Sequence, residues 1–520
     1  MKNRKFLKNL VIGFCCVSIA ITSFAIGASA NYVNDVDYDI NNPYQNVNWD
    51  TATQYKADLH SHTTASDGGE TLKQSVERHY ELGFDIIATT DHGTVNRSWT
   101  EEDVVPEFKV IMNIKHIVQD KPYRLGLLSK DGGLTENKDR YAIETSDAGD
   151  DYYYQYVDGT TGHKMLRVPF GIEHNPTSLN NAHVNSWFAD YGHGKLGGTS
   201  DYITPIMSID SLGGLSIINH PGEYTSARDE VYKEDAYDVD DIIYNYKINK
   251  FANILNTYDS CLGIDINSKG DGRTRFDRKL WDILLGYLVP NGKNVFAIAT
   301  SDAHGRSIVD SGYTLMLMEE NTSESLFNCM KNGEFFSASQ YVGNYEELVG
   351  YSATMKTSSN PEAIAFSSEI DDIIKRIENS IAERGEQGGI NYYAGENSPT
   401  RITKVTVDDE EDTISLEDEN ALAIHWISDG KVIATGNSID LDDYSSEIGS
   451  YVRAEAFGRG GVVYTQAFTL DYEGAPEHKL DENFHDFWKI ACGVDAILNW
   501  LQSQIWFKGT LEYIWDVVFH

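Results

Sequence analysis

The chain has 520 residues, of which 80 are acidic and 42 basic, so its formal charge is −38 at neutral pH. This excess of negative charge argues against a protein that binds along nucleic acid by electrostatic attraction, because such binding requires Lys and Arg to neutralise phosphates. The length indicates roughly three domains, and the cysteines are too few and too widely spaced for a disulfide framework.

Residues 1–30 have the layout of a secretory signal peptide, with a basic start, an apolar stretch and a small-residue ending at Ala30. We therefore expect a secreted, extracellular or cell-surface protein. Cys15 and Cys16 lie inside this leader, and the residues before them make a poor lipoprotein cleavage site, so no lipid anchor is expected. The remaining cysteines are expected to be buried thiols, namely Cys261, Cys329 and Cys492.

Short apolar segments recur along the chain, and each ends at polar residues suited to metal binding. These ends are Asp91 and His92, Glu173 and His174, His220, Asp265 and Asn267, and Asp302 and His304. Helix-like stretches lie between several of the segments, for example at 71–83 and 278–289. Strand, polar end and helix in repetition predict a parallel α/β barrel with its site at the carboxyl ends of the strands.

The stretch "ADLHSHTTASDG" at 57–68 adds two histidines and two carboxylates to this pattern. A single histidine at a strand end is more often a structural hydrogen-bonding residue than a ligand. Because ligand-type residues end five or six separate segments, a shared metal site is the better interpretation. Histidines in helical, loop or downstream positions are left out of it, namely His79, His116, His163, His193, His425, His478 and His485. His174 is also left out, since it points away from Glu173 in a strand.

Six motifs, in chain order, resemble those of the PHP (polymerase and histidinol phosphatase) family over roughly residues 52–340. They are "DLHSHTTASDG", "TTDHG", "GIEHN", "NAHVN", "NHPGEY" and "SDAHG". The resemblance implies a distorted (β/α)7 barrel that holds two or three divalent metal ions, and an activity in phosphoester hydrolysis. The mixture of imidazole and carboxylate ligands favours Zn, Mn or Fe over Ca.

The same resemblance implies a ligand set for each metal. The first ion would be held by His60, His62, Glu173 and Asp302, the second by Glu173, His183 and His220, and the third by Asp67, His92 and His304. Some family members have histidine where this chain has Asp67, which leaves the identity and occupancy of the third ion open. Asp265 is not expected to be a ligand.

The expected reaction is attack of a metal-bound hydroxide on a phosphoester, with the metal ions also binding the phosphoryl oxygens. The expected substrate is a small phosphorylated molecule, and nucleic acid is expected only as a short or nucleotide substrate. Arg228 and Arg306 are candidate phosphate clamps, because a guanidinium matches phosphate geometry. Either could equally be a surface arginine.

The sequence also predicts an insertion within this barrel and two segments after it. Residues 93–167 form an insertion that either caps the metals or is a loop subdomain without a catalytic part. Residues 341–398 are a connecting segment with an amphipathic helix, and 399–473 alternate as in a small antiparallel β-sandwich. The sandwich is expected to pack against the barrel, or to bind a polymer or the cell surface.

The C-terminal segment 474–520 is apolar, amphipathic, Trp-rich and predicted to be helical. Its charges interrupt it too often for a membrane-spanning helix, and they are Asp495, Lys508, Glu512 and Asp516. Docking onto the protein's own core is the preferred interpretation. The alternative is contact with a membrane interface or partner at the cell surface.

Two other functions stay open on the sequence alone. A polymer-active nuclease could use the same metals, although the acidic composition and the lack of a basic track count against it. A non-catalytic surface or binding protein could carry the metals without turnover.

Overall fold

The computed structural model describes residues 36–100, 133–174, 182–193, 202–225, 227, 235–384 and 390–481. Asp37 and the described residues after it belong to one compact unit. The predicted signal peptide, the middle of the predicted insertion and nearly all of the C-terminal segment lie outside the described residues. Within the described residues, no helix is long and apolar enough to cross a membrane.

The described part of the chain contains both helices and strands. The helices are α1 (Leu72–Glu81), α2 (Ile203–Leu212), α3 (Ile242–Thr257), α4 (Asp277–Leu288), α5 (Ser323–Asn332), α6 (Tyr345–Thr357) and α7 (Pro361–Arg384). The strands of the first half are β1 (Asp39–Asn41), β2 (Thr53–Ser61), β3 (Ile86–Thr89), β4 (Tyr141–Thr145), β5 (Asp151–Val157), β6 (Thr160–Thr161), β7 (Met165–Arg167), β8 (Ile172–His174), β9 (Val184–Trp187), β10 (Leu215–Ile218), β11 (Cys261–Asn267) and β12 (Phe296–Ala299). Those of the second half are β13 (Gly312–Met318), β14 (Phe335–Ser339), β15 (Tyr341–Val342), β16 (Tyr392–Tyr393), β17 (Arg401–Asp408), β18 (Thr413–Glu419), β19 (Ala423–Ser428), β20 (Lys431–Thr435), β21 (Ser438–Asp440), β22 (Tyr451–Gly458), β23 (Gly461–Tyr464) and β24 (Phe468–Asp471).

The strands form one large sheet of 14 strands and three smaller sheets. Neighbouring strands of the large sheet follow the order β1-β24-β22-β23-β14-β13-β2-β3-β7-β5-β4, and β6, β19 and β20 pair outside this order. A five-stranded sheet has the order β12-β11-β10-β9-β8. The protein is therefore a mixed α/β protein, as the sequence predicts, but these sheets do not confirm a closed barrel. Strands from the predicted sandwich region lie in two places, since β17, β18 and β21 form their own sheet while β23 pairs with β14.

Strand directions around the predicted site are mixed rather than all parallel. β2 and β3 are parallel, as are β10, β11 and β12. In contrast, β9 is antiparallel to both β8 and β10. Nine residues separate β8 from β9, fewer than the dozen or so that a parallel crossover requires, so the chain turns back instead.

Local sequence signals explain where several of these elements begin and end. α1 begins at a capping box, in which Thr71 Oγ1 accepts from the Gln74 amide and Gln74 Oε1 accepts from the Thr71 amide. The Asp429 and Gly430 pair between β19 and β20 has φ values of 49° and 69°, as a two-residue hairpin turn with two positive φ angles requires. Gly263 in β11 lets β12 approach closely, since a Cβ there would lie 1.8 Å from the Phe296 carbonyl oxygen.

Two buried apolar clusters flank the strands that carry the candidate site. One packs strand residues such as Leu59, Ile217 and Met316 together. The other joins α4, α6, α7 and the C-terminal strands through Trp281, Phe366 and other side chains. Cys261 and Cys329 lie in these clusters as free, buried thiols, as predicted for them.

Candidate metal centre

The structure brings all nine predicted ligands together at the ends of neighbouring strands. Six strands and the loops beside them supply these residues: His60 and His62 at the end of β2, Asp67 in the loop beyond it, His92 after β3, Glu173 in β8, His183 before β9, His220 after β10, and Asp302 and His304 after β12. Their ligand atoms fall into overlapping groups whose members all lie within 4.8 Å of one another. The described residues thus contain a cluster that could hold divalent metal ions.

Four side chains form the first predicted group around the Nε2 atoms of two histidines. His62 Nε2 lies 3.1 Å from both Glu173 Oε2 and Asp302 Oδ1. His60 Nε2 lies 3.4 Å from the same two oxygens and 3.1 Å from His62 Nε2. A carboxylate and an imidazole this close, with their coordinating atoms directed inward, are arranged as around a single cation.

The other oxygen of Glu173 faces the second predicted group. Glu173 Oε1 lies 2.6 Å from His183 Nδ1 and 3.6 Å from His220 Nε2. His220 Nε2 is also 3.4 Å from Asp302 Oδ2. Because its two oxygens face different histidines, Glu173 is placed to bridge two ions.

The third predicted group surrounds Asp67, the position where the sequence departs from some PHP proteins. Asp67 Oδ1 lies 3.2 Å from His304 Nε2 and 3.7 Å from His92 Nε2. His62 Nδ1 is 3.6 Å away and belongs to the same group. His92 Nδ1 also approaches Glu173 Oε2 at 3.1 Å, so the second and third groups are contiguous.

Backbone geometry places these side chains at some conformational cost. The loop after His62 folds back so tightly that a Cβ at Gly68 would lie 2.5 Å from the His62 carbonyl oxygen. His220 and Asp302 have φ values of 24° and 46°, which non-glycine residues adopt rarely. Strain of this kind is found at functional sites, where the surrounding structure holds it in place.

Burial and mutual charge set the protonation of the cluster. Burial opposes ionisation of Glu173 and Asp302, but neighbouring cationic groups outweigh it and hold the pKa of each carboxyl well below its usual range. Burial lowers the pKa of His92 to about 3 and that of His220 to about 4, whereas burial at His62 is outweighed by hydrogen bonds to Asp302 and Glu173, which raise its pKa well above the usual range. Ionised carboxylates and neutral imidazoles are the forms that bind metal ions.

Unsatisfied nitrogen atoms indicate that something besides protein belongs in the cluster. Both ring nitrogens of His220 are buried without a hydrogen bond, and so is Nδ1 of His92. Buried polar atoms almost always have partners, since an unpaired one costs about 1–3 kcal/mol. The donor set of imidazole nitrogens and carboxylate oxygens fits Zn, Mn or Fe.

A second layer of hydrogen bonds orients the first histidines. His79 Nε2 lies 3.1 Å from Asp58 Oδ2, and Asp58 Oδ1 accepts from the His60 amide at 3.1 Å. Asp91 accepts from Ser66 Oγ at 2.5 Å, and Ser66 Oγ lies 3.3 Å from His62 Nδ1. Asp91 thus orients the ring of His62 through Ser66, whereas Asp58 holds the backbone at His60.

Sequence reasoning missed two charged residues beside the cluster. Lys269 Nζ lies 2.8 Å from Asp302 Oδ2 and also contacts Glu223 Oε2. Glu223 is buried and belongs to a group with His220 and Asp302. Glu223 lies within the "NHPGEY" motif, so its place near the cluster could have been predicted from the sequence. Lys269 follows β11 outside any of the motifs, so its place could not.

The two predicted phosphate clamps have different outcomes. Arg228 lies outside the described residues. Arg306 is half exposed and pairs with carboxylates of the protein itself, at 3.2 Å from Glu81 Oε2 and 3.7 Å from Glu70 Oε1. A role for either arginine in substrate binding stays a prediction.

No family model and no curated protein matches the sequence. Among solved structures, the chain is similar to a two-domain protein from Bacteroides vulgatus ATCC 8482 that contains a predicted PHP-like metal-dependent phosphoesterase. The identity is 12%, the TM-score is 0.33, and the match covers 85% of this chain and 100% of the other. The family that the motifs resemble is thus also named among similar solved structures.

Two further solved structures are similar over about half of this chain. PsfC from Pseudomonas syringae PB-5123 has 12% identity and a TM-score of 0.28, over 53% of this chain and 88% of the other. The lesion-specific endonuclease PfuEndoQ from Pyrococcus furiosus has 10% identity and a TM-score of 0.27, over 54% of this chain and 56% of the other. At these identities and TM-scores, the likenesses carry no argument about function.

Proposed function

We propose that the protein is a secreted PHP-type metal-dependent phosphoesterase that hydrolyses small phosphorylated substrates. The observation that carries this proposal is the buried cluster of nine imidazole and carboxylate side chains, in which Glu173 faces histidines through both of its oxygens. A cluster of this size exceeds what one structural ion requires, since four ligands saturate a structural zinc site.

The divalent ions that fit this centre would lower the pKa of a water and offset the charge that develops on phosphoryl oxygens. The chain's own residues would hold and orient those ions. Glu173 would bridge two of them, Asp91 would fix the ring of His62 through Ser66, and Asp58 would hold the backbone at His60. No protein nucleophile is required for such a reaction.

A closed, distorted ring of seven strands around the centre is part of this proposal. The strands are β2, β3, β8, β9, β10, β11 and β12. Two isolated parallel bridges support the ring, one between Ser61 and Ala303 and one between His92 and Glu173. The first bridge joins the end of β2 to the segment after β12, and the second joins the segment after β3 to β8. Both bridges lie at the end of the strands where the predicted ligands lie.

Secretion, and a surface contact through residues 474–520, are proposals supported by the sequence features of the two chain ends. The acidic charge supports a small substrate or a short nucleotide over a long nucleic acid.

The proposed activity is tested by screening the purified protein against phosphomonoesters, phosphodiesters and nucleotides, with and without a chelator. We expect turnover that chelation abolishes, that added Zn, Mn or Fe restores, and that His62→Ala reduces by at least about 1000-fold. His478→Ala is the matched control, because His478 stacks on Tyr287 away from the cluster. Preference for long DNA or RNA would favour the nuclease alternative, and metal binding without any turnover would favour a non-catalytic protein.

A further inference from the structure

One side of the metal cluster carries a positively charged side chain, in a protein whose net charge is strongly negative. Lys269 Nζ lies 2.8 Å from Asp302 Oδ2. Asp302 is one of the nine cluster residues, so Lys269 places a positive charge directly beside the predicted ligands. In a chain of net charge −38, an anionic substrate needs such a local cation to approach.

Glu223 connects this lysine to a second cation nearer the surface. Its carboxylate contacts Lys269 Nζ through Oε2 and accepts from Arg273 Nη1 at 2.7 Å through Oε1. The side chains of Glu223 and Lys269 are 4% and 18% exposed, whereas that of Arg273 is 47% exposed. The three residues therefore form a charged row that leads from Asp302 to solvent.

The backbone holds Lys269 in an unusual conformation that directs it to this position. Its φ is 51°, and it begins a short 3-10 turn, Lys269–Asp271, directly beyond β11. Asp271, at φ 61°, is fixed by Arg278 through two hydrogen bonds of 3.0 and 3.1 Å. A lysine with positive φ on an anchored turn indicates a side chain whose placement matters.

We propose that Lys269 is a substrate-binding residue that contacts a non-bridging phosphoryl oxygen, and that the row Lys269, Glu223 and Arg273 selects phosphomonoester dianions. This inference rests on the proposed phosphoesterase function and adds a substrate class to it. A metal bound by Asp302 would compete with the lysine for that carboxylate, so one N–H of Lys269 could donate to a substrate oxygen while Glu223 still pairs with the ammonium group. Coulomb attraction scales with charge, so a monoester dianion gains about twice as much from Lys269 as a diester monoanion does.

The test compares Lys269→Met, Lys269→Arg and the control Lys293→Met in the metal-loaded full protein. Lys293 is as little exposed as Lys269, at 19%, and it also pairs with a carboxylate, Asp259 at 3.0 Å, but it lies away from the cluster. Three quantities are measured: metal content, the Kd of inorganic phosphate by calorimetry, and kcat/KM for an aryl phosphate monoester and diester.

We expect Lys269→Met to keep its metal and to bind inorganic phosphate about tenfold or more weakly. Its kcat/KM should fall about 100-fold for the monoester and about tenfold for the diester, while Lys269→Arg retains most activity and Lys293→Met all of it. Equal losses on both esters, loss of metal, or unchanged phosphate affinity would overturn the inference. If the unmodified protein hydrolyses neither ester, the proposed function fails, and the phosphate Kd still decides whether Lys269 binds the anion.

Discussion

The carboxylate of Asp58 and the imidazole of His79 lie 3.1 Å apart directly behind the metal centre, and both side chains are fully buried. Asp58 also accepts hydrogen bonds from the backbone amides of His60 and Ser301, at 3.1 and 3.3 Å. One buried carboxylate thus ties α1, the end of β2 and the segment after β12 together.

Asp58→Ala is expected to destabilise the fold, because it leaves His79 and two amides without their acceptor. Leaving one buried donor without its acceptor costs about 1–3 kcal/mol, so three of them should cost at least about 3 kcal/mol. Denaturant unfolding measures this, with Asp259→Ala as the control. Asp259 is 93% exposed and pairs only at the surface with Lys293, so the control should cost less than about 1 kcal/mol. Equal costs for the two variants would contradict the structural role of Asp58.

His425 makes part of the fold's stability dependent on pH. Its side chain is buried and Nε2 lies 2.8 Å from Thr354 Oγ1. Burial lowers the pKa of His425 and outweighs the opposing charge of Glu455. Because the folded state disfavours the protonated ring, the stability from this group is present above the unfolded pKa of about 6.5 and is lost as the pH falls toward the lower folded pKa.

His425→Gln should remove this pH dependence, because glutamine does not titrate. The unfolding free energy of the original protein should therefore fall relative to the variant by about 1 kcal/mol between pH 7.5 and pH 5.5. Denaturant titrations at the two pH values measure the difference, and titrations of the metal ligands cancel since both proteins share them. A difference that does not change with pH would show that His425 does not titrate as proposed.

Arg453 joins the C-terminal strands to the helix that precedes β12. From β22 it donates to both oxygens of Asp282 in α4, at 2.7 and 2.8 Å, and to Glu455 at 2.6 Å. Arg453→Met leaves Asp282 buried without its counter-charge, so we expect a loss of about 3–5 kcal/mol in the unfolding free energy. Lys375→Met is the surface control, because Lys375 is 67% exposed and pairs with Asp372 at 3.2 Å. The control should change the unfolding free energy by less than about 1 kcal/mol.

Most positions of the cluster could be predicted because they end or follow an apolar run that reads as a strand, whereas Asp67 and His183 lie in loops and were predicted only from the resemblance of their motifs. His92 follows β3, and Asp302 follows β12, and strands aligned side by side bring such ends to one edge. Alternation within β8 also predicted that His174 points away from Glu173, and its Nε2 bonds to Ser186 Oγ at 2.8 Å instead. These features depend only on local sequence.

What the sequence could not supply was strand direction and long-range contact. A short apolar run such as β9 carries no information about whether its neighbours run parallel or antiparallel to it. The ion pair between Lys269 and Asp302 depends on a turn with positive φ at a lysine, which no residue preference predicts. The pairing of β14 with β23 likewise joins segments far apart in the chain, so the predicted domain boundary near Gln340 stays a prediction.

The metal content of the purified protein, measured by inductively coupled plasma mass spectrometry, tests the central claim most directly. We expect about two to three equivalents of Zn, Mn or Fe per chain, and less than about one in Glu173→Gln, because Glu173 faces both of the first two groups. Asp265→Asn is the control, since Asp265 is a buried carboxyl outside the cluster whose pKa is raised well above its usual range, chiefly by burial. It should keep its full metal content. A protein that binds no transition metal, or a folded Glu173→Gln variant that keeps all of it, would contradict the account.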